Sequence, residues 1–208
     1  AYRGIAEFPV EDPGMMRETQ GNGWRGAVHP LDAEHVYWWA AHRTSAGMTQ
    51  DPSQRKDAVL AGVGEWIGGL PQAVAATPAE TILHNDLFDR DPIATWTVGR
   101  VSLLGDAAHP TTPNLGLGGC MAIEDAVVLA RAVDQTGAHG PAFAQYEFER
   151  HTRTARVVWM SRLMGRSGSL TNPVAVKVWR SLNSVTPPRI AASMLAREVT
   201  YMPGSLGR

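Results

Sequence analysis

The sequence predicts a mixed α+β fold with an α/β element at its centre, on three observations. Two runs with apolar residues on alternating positions, "WRGAVHPL" at 24–31 and "HVYWWAAHR" at 35–43, read as strands joined by the polar turn Asp32-Ala33-Glu34. Beyond about residue 117 the apolar spacing is helical almost throughout. Between these regions "RVSLLGD" is a short apolar run ending in glycine, the pattern of a buried strand that delivers a loop. The expected division is a sheet domain over 1–98 and a loop-and-helix segment over 99–208.

The elements follow in order. Residues 1–10 form a plausible strand ending at Pro9, and Asp12-Pro13-Gly14 and Gly21-Asn22-Gly23 are turn chemistry. In the 35–43 strand, Tyr37, Trp39 and Ala41 share one face while Val36, Trp38, Ala40 and His42 share the other. Both faces are apolar, so cover on both sides is expected. After Asp51-Pro52-Ser53, Val59, Leu60, Val63, Trp66 and Ile67 predict a helix over 52–70 ending in Gly68-Gly69, with a second short helix over 71–76. "ETILHNDLFD" reads as a strand closed by Asp91-Pro92, and helices are expected over 117–135, 141–166 and 173–200, the last broken by Pro187-Pro188.

Composition narrows the function classes. The 208 residues are 44% hydrophobic, enough for a real core, and the formal charge of −1 argues against a general affinity for nucleic acid or an anionic membrane. The single cysteine, Cys120, cannot form an internal disulfide, which suits a reducing, cytoplasmic setting. No apolar run has the length of a membrane span. The opening "AYRGIAEF" has no Met and reads as the middle of a strand, so a portion of a longer protein is expected.

The stretch "GDAAHPTTPNLGLGGC" at 105–120 is dense in glycine and proline and leads directly into a helix. Asp106, at the C-terminal end of a strand, can accept hydrogen bonds from polyol hydroxyls, and ligands bind at that end of open sheets. Pro110 and Pro113 stiffen the loop, and Gly116, Gly118 and Gly119 let the backbone approach a ligand closely. The helix starting near residue 118 presents unpaired N–H groups and a positive dipole end. Glu124 and Asp125 near that end, Arg131 near the other and Gly137 just beyond suit the dipole and the stop. The helix is apolar almost all round, which predicts deep burial. These parts suit a large cofactor with a polyol and an electron-accepting ring.

The 26 residues "GDAAHPTTPNLGLGGCMAIEDAVVLA" resemble the second FAD-binding motif of the class A, single-component flavoprotein monooxygenases, in the branch of salicylate hydroxylase, urate hydroxylase and zeaxanthin epoxidase. Weaker resemblance extends through "WRGAVHPLDAEHVYWWAA", "ATPAETILHNDLFDRDP" and "AQYEFERHTRTARV". The resemblance implies a substrate-domain sheet with helices, followed by the C-terminal part of a FAD domain. It implies that Asp106, with Gly105, bonds the ribityl hydroxyls of FAD, that Pro113 and its loop neighbours Gly116 and Leu117 line the space beside the reacting ring, and that N–H groups of Gly118, Gly119 and Cys120 point at the pyrimidine edge of the flavin. Tyr37 and Trp39, on one face of their strand, are candidates for a pocket wall against a planar substrate, with ordinary sheet packing as the other reading; Pro110 and Thr112 are placed with them on the substrate side, and no catalytic residue is assigned.

The implied chemistry is reduction of FAD by NAD(P)H, formation of a C4a-hydroperoxide with oxygen, and transfer of one oxygen atom to a small aromatic or olefinic substrate. A homodimer is among the assemblies the resemblance allows. The family's Rossmann GxGxxG, which opens a helix after a strand, and its later Asp-Gly motif are not expected in these residues: Gly62-Val63-Gly64 has the wrong spacing, and Gly21-Asn22-Gly23, though followed by Gly26, is turn chemistry between strands. The missing Rossmann portion is therefore an expected partner of this chain. A halogenase is disfavoured because GWxWxIP is missing and "GEWIGGLP" is too different. A truncated, non-catalytic binding module of the same fold is the alternative from another class.

Other chemistry-bearing residues have plainer readings. His109 has no second metal ligand at suitable spacing and reads as loop-shaping, and Cys120 as a small residue at a tight helix start. No metal is expected. Arg3 reads as a solvated arginine, and so does the row Arg150, Arg153, Arg156.

Overall fold

The computed structural model describes residues 1–9, 12, 14–21, 23–48, 50–185, 187, 189, 193, 196 and 198–204, with Arg180 and Asn183 described by backbone alone. It forms two compact units, Ala1–Leu87 with Arg166–Lys177, and Phe88–Gly165 with Val178–Arg208. Together they make a mixed α+β protein.

The first unit is built on an antiparallel sheet of β1 (Tyr2–Glu7), β2 (Arg17–Gly21), β3 (Trp24–Pro30), β4 (His35–His42) and β5 (Leu83–His84), in the order β2-β3-β4-β1-β5. The β3–β4 hairpin forms where the alternation placed it. Asp32 closes its turn by accepting from the backbone N–H groups of Glu34 and His35, both at 2.8 Å. Of the two other expected turns, Pro13 and Asn22 lie outside the described residues.

One face of the sheet carries Tyr2, Ala6, Val28, Val36, Trp38 and Ala40, packed with Val59, Val63, Leu70, Ala73 and Val74. The last five come from α1 (Pro52–Val63) and α2 (Leu70–Ala76). Trp38 is fully buried there and donates its indole N–H to Thr77 Oγ1 at 2.8 Å. A Cβ at Gly4 would stand 2.8 Å from the Trp38 ring, so the strand opposite this tryptophan needs glycine.

The expectation of cover on both faces is corrected, since Tyr37, Trp39 and Ala41 on the opposite face are only half-buried. The helix expected over 52–70 also stops early, at Val63. Gly68 and Gly69 then take positive φ values of 103° and 90°, and Ile67 is left 87% exposed. Of "ETILHNDLFD" only Leu83–His84 is strand. The acids that follow engage side-chain bonds instead: Asp86 accepts from the Gly47 N–H, and Asp89 and Asp91 both pair with Arg162.

The second unit opens with a two-stranded ribbon of β6 (Thr97–Val98) and β7 (Val101–Ser102). The buried strand expected at "VSLL" is corrected on this point. Val101 is 66% exposed, because the run pairs only across the Gly99 turn with β6. Three helices follow in the chain, α3 (Gly118–Thr136), α4 (His139–Gly168) and α5 (Pro173–Val185), of which the end of α4 from Arg166 and the start of α5 to Lys177 count with the first unit. Residues 186–200, expected to continue the last helix past Pro187-Pro188, include Pro188 and others outside the described residues.

Helix α3 is not buried all round. It buries the stripe Met121, Asp125, Val128 and Ala132, while Ile123 is 69% exposed. Among the described residues no helix is long and apolar enough to cross a membrane, and no cluster of three metal-binding side chains occurs.

Candidate active site

The glycine- and proline-rich loop lies within the second unit, between β7 and α3. It contains two single turns of 3₁₀ helix, Gly105–Ala107 and Pro113–Leu115. Gly105 has φ +59° and Gly116 has φ +67°, values that side-chain-bearing residues rarely adopt. The two glycines differ in their surroundings. A Cβ at Gly105 would press on Ala122 at 3.2 Å, whereas one at Gly116 would meet nothing within 4 Å.

Asp125 holds the loop from beneath. Its carboxylate is fully buried and accepts from the Gly105 N–H at 3.1 Å, His109 Nε2 at 2.6 Å and Arg150 Nε at 2.7 Å. Burial alone would raise the Asp125 pKa, but the hydrogen bonds from His109 and Arg150 outweigh it and hold the carboxyl below its ordinary value. An ionised carboxylate only accepts, so His109 donates from Nε2. The His109 ring packs beside buried Trp96 at 5.4 Å, which makes it a structural part of the loop. Tyr146 closes the same core and donates its hydroxyl to Leu103 O at 3.2 Å.

The far half of the loop is tied to α4. Thr112 and Ser161 share a hydroxyl contact of 3.0 Å, Ser161 Oγ donates to Thr112 O at 2.6 Å, and Asn114 Nδ2 reaches both Thr112 Oγ1 and Ser161 O. Leu117 turns its side chain into a core with Met121 and Val157, so it meets a ligand through its backbone alone.

What these anchors leave free is distinctive. Asp106 is exposed and has no protein partner among the described residues. Helix α3 starts at Gly118 with no side-chain cap, and a Cβ at Gly119 would meet nothing within 4 Å. Pro113 and Cys120 are exposed and Pro110 is half-buried. Open space at two glycines, an uncapped helix start and an unpaired carboxylate fit a cofactor with hydroxyl groups and a ring that gains negative charge. FAD is such a group. Residues Gly105–Cys120 are thus gathered in the second unit, whereas Tyr37 and Trp39 lie on the half-open sheet face of the first.

Sequence reasoning missed Asp125, Arg150, Asn114 and Ser161 as loop anchors. The reading of Arg150, Arg153 and Arg156 as one solvated row is corrected. Arg150 and Arg153 are buried, paired with Asp125, Glu124 and Glu198, and Arg156 is half-buried, ion-paired with Glu198 at 3.1 Å. Arg3 is half-buried rather than fully solvated, donating to Asn85 Oδ1 at 2.8 Å.

Comparison with known proteins agrees with this chemistry. Residues 9–161 match the FAD binding domain family. The chain is 39% identical over 186 residues to aurachin C monooxygenase/isomerase of Stigmatella aurantiaca, covering 88% of this chain and 48% of that protein. It is 33% identical over 184 residues to the chloroplastic zeaxanthin epoxidase of an Oncidium hybrid cultivar, covering 83% of this chain and 28% of the relative. Klebsiella pneumoniae HpxO, solved with FAD and uric acid, superposes with a TM-score of 0.84 at 27% identity, over 99% of this chain and 53% of that one. The chain therefore spans about half the length of two of these relatives and less of the third. It belongs to the FAD binding domain family, among the class A flavin monooxygenases.

Proposed function

We propose that the protein carrying this chain is a FAD-dependent monooxygenase that inserts one oxygen atom of O2 into a small planar aromatic or olefinic substrate, with NAD(P)H as reductant. The observation that carries this reading is Asp106, unpaired among the described residues, together with the uncapped start of α3, on a loop anchored through Gly105, His109, Thr112 and Asn114. When bound, FAD supplies the hydride acceptance and the oxygen activation. The balance is substrate-H, O2, NAD(P)H and a proton giving substrate-OH, NAD(P)+ and water.

The chain's residues do the positioning. Asp106 accepts from ribityl hydroxyls, and Gly105, Pro113, Gly116 and Leu117 hold the backbone in its cradle shape. The N–H groups of Gly118, Gly119 and Cys120 stabilise negative charge on the pyrimidine edge. Pro110 and Thr112 are assigned to the substrate side. In the first unit, Tyr37 and Trp39 offer the surface for a planar ring, and Tyr37 with Arg3, Ile5 and Leu83 lines a cleft of about 670 Å³. The letters GxGxxG occur only at Gly21–Gly26, between the antiparallel strands β2 and β3 and not at the start of a helix, so the adenine-nucleotide half of FAD is assigned to residues outside these 208.

The test is the visible spectrum of the purified native protein together with its NAD(P)H oxidation. We expect bound flavin, and oxygen-dependent NAD(P)H consumption accelerated by a member of a planar aromatic and olefinic panel. A colourless protein that oxidises no NAD(P)H would overturn the proposal in favour of a binding module.

A further inference from the structure

The half-open face of the sheet carries a bonded row that the loop chemistry does not use. Trp39 Nε1 donates to His29 Nε2 at 3.1 Å, across the β3–β4 pair. The Arg25 guanidinium lies 5.5 Å from the Trp39 ring centroid and is itself paired with Glu18 of β2. The His29 and Tyr37 rings, directly opposite in the register, are 5.7 Å apart and tilted.

An indole N–H can only donate. His29 Nε2 must therefore present its lone pair to Trp39, and in a neutral imidazole the proton then sits on Nδ1. Burial lowers the His29 pKa, against a smaller opposing pull from Glu18, which keeps the ring neutral. His29 is only partly buried, and Nδ1 is neither sealed in the core nor bonded to another described residue. The row thus ends in one oriented donor without a partner, beside the Tyr37 ring.

We propose that His29 is a specificity-determining residue. Its Nδ1–H, fixed in tautomer by Trp39, donates to an acceptor oxygen, a carbonyl or oxyanion, borne by a planar substrate lying against Tyr37. A lone Nδ1–H rewards an acceptor and gives nothing to a ring that carries none, because displacing water from it without replacement leaves the donor unpaired. The inference deepens, and rests on, the reading of this face as the substrate surface.

The test has two arms on the native protein. Imidazole ¹⁵N NMR should show His29 as the Nδ1–H tautomer, and Trp39→Phe should release it to a mixture; an Nε2–H tautomer in the wild type would overturn the proposal. Affinities for acetophenone against ethylbenzene, and for 1-indanone against indane, are then read from tryptophan fluorescence, which needs no flavin. The oxygen-bearing member of at least one pair should bind about tenfold tighter. His29→Leu removes the outward donor and should abolish the preference; His29→Asn, with an amide N–H near Nδ1, should restore part of it. No preference in the wild type, or an undiminished one in His29→Leu, sinks the inference. Failure of the flavin reading is separately visible as a colourless protein.

Discussion

Replacing Asp125 by Asn is expected to lower the unfolding free energy by about 3–5 kcal/mol, the usual cost of breaking a buried ion pair from one side. Asp125 and Arg150 are both fully buried, and the carboxylate also takes the His109 and Gly105 protons. An amide can offer one oxygen to these three donors, and its own NH2 turns against the others. Glu124, bonded to Arg150 at 2.6 Å, compensates part of the stranded charge, which favours the lower end of that range. Asp125→Leu combined with Arg150→Met should cost less than Asp125→Asn alone, since no buried charge is left without a partner.

The same residue sets an acid limit. Its folded pKa lies below the ordinary aspartate value, so its contribution is present above that value and is lost as pH falls through the lower, folded one. Urea unfolding across a pH series checks both points. The wild type should weaken in that acid window and Asp125→Asn should not show this part of the loss. A change under about 1 kcal/mol at neutral pH would mean that Asp125 does not anchor the loop.

The second large effect separates cofactor binding from folding. Gly119→Asp places a carboxylate in the first turn of α3, where a Cβ meets nothing within 4 Å. An acid there favours the helix dipole, and replacing a helical glycine restrains the unfolded chain, so stability should hold or rise by about 1 kcal/mol. For a flavin that gains negative charge at this helix end, the substitution is adverse twice over: it fills the open space and repels the anion. FAD affinity should fall about a hundredfold or more, since a charge-assisted contact is lost and a like charge added. Thermal unfolding without flavin and a flavin titration, run together, check the pair. An unchanged affinity would place the ring elsewhere.

What the sequence made legible was local. The β3–β4 hairpin follows from alternation over adjacent residues and a single Asp32 turn. The cofactor loop is legible because its glycines, prolines and Asp106 are contiguous. Its anchors are not, for Asp125 lies 16 residues from His109 and 25 from Arg150, and Ser161 lies 49 from Thr112. One signal was present: Asp125 stands at core spacing within the stripe Met121, Val128 and Ala132, and an acid there demands a buried partner. Arg150 and Arg153 looked like solvated charges because their acids, Glu124 and Glu198, lie on distant segments. The extent of "ETILHNDLFD" was hidden for a related reason, since its acids bind Gly47 and Arg162 rather than continuing the ladder. Whether the apolar Val101–Ser102 run is sheltered depended on its neighbours, not on its own residues.

The central claim is that the loop from Gly105 to Cys120 holds FAD through the carboxylate of Asp106. It is tested most directly by titrating the flavin-stripped native protein and its Asp106→Ala variant with FAD. Because Asp106 is exposed and bonds no described residue, the variant should unfold at the wild-type temperature. Its FAD dissociation constant should nevertheless rise about tenfold to a hundredfold, the worth of hydrogen bonds to a charged group. A wild type that binds no FAD, or a variant that binds it as tightly as the wild type, would contradict the account.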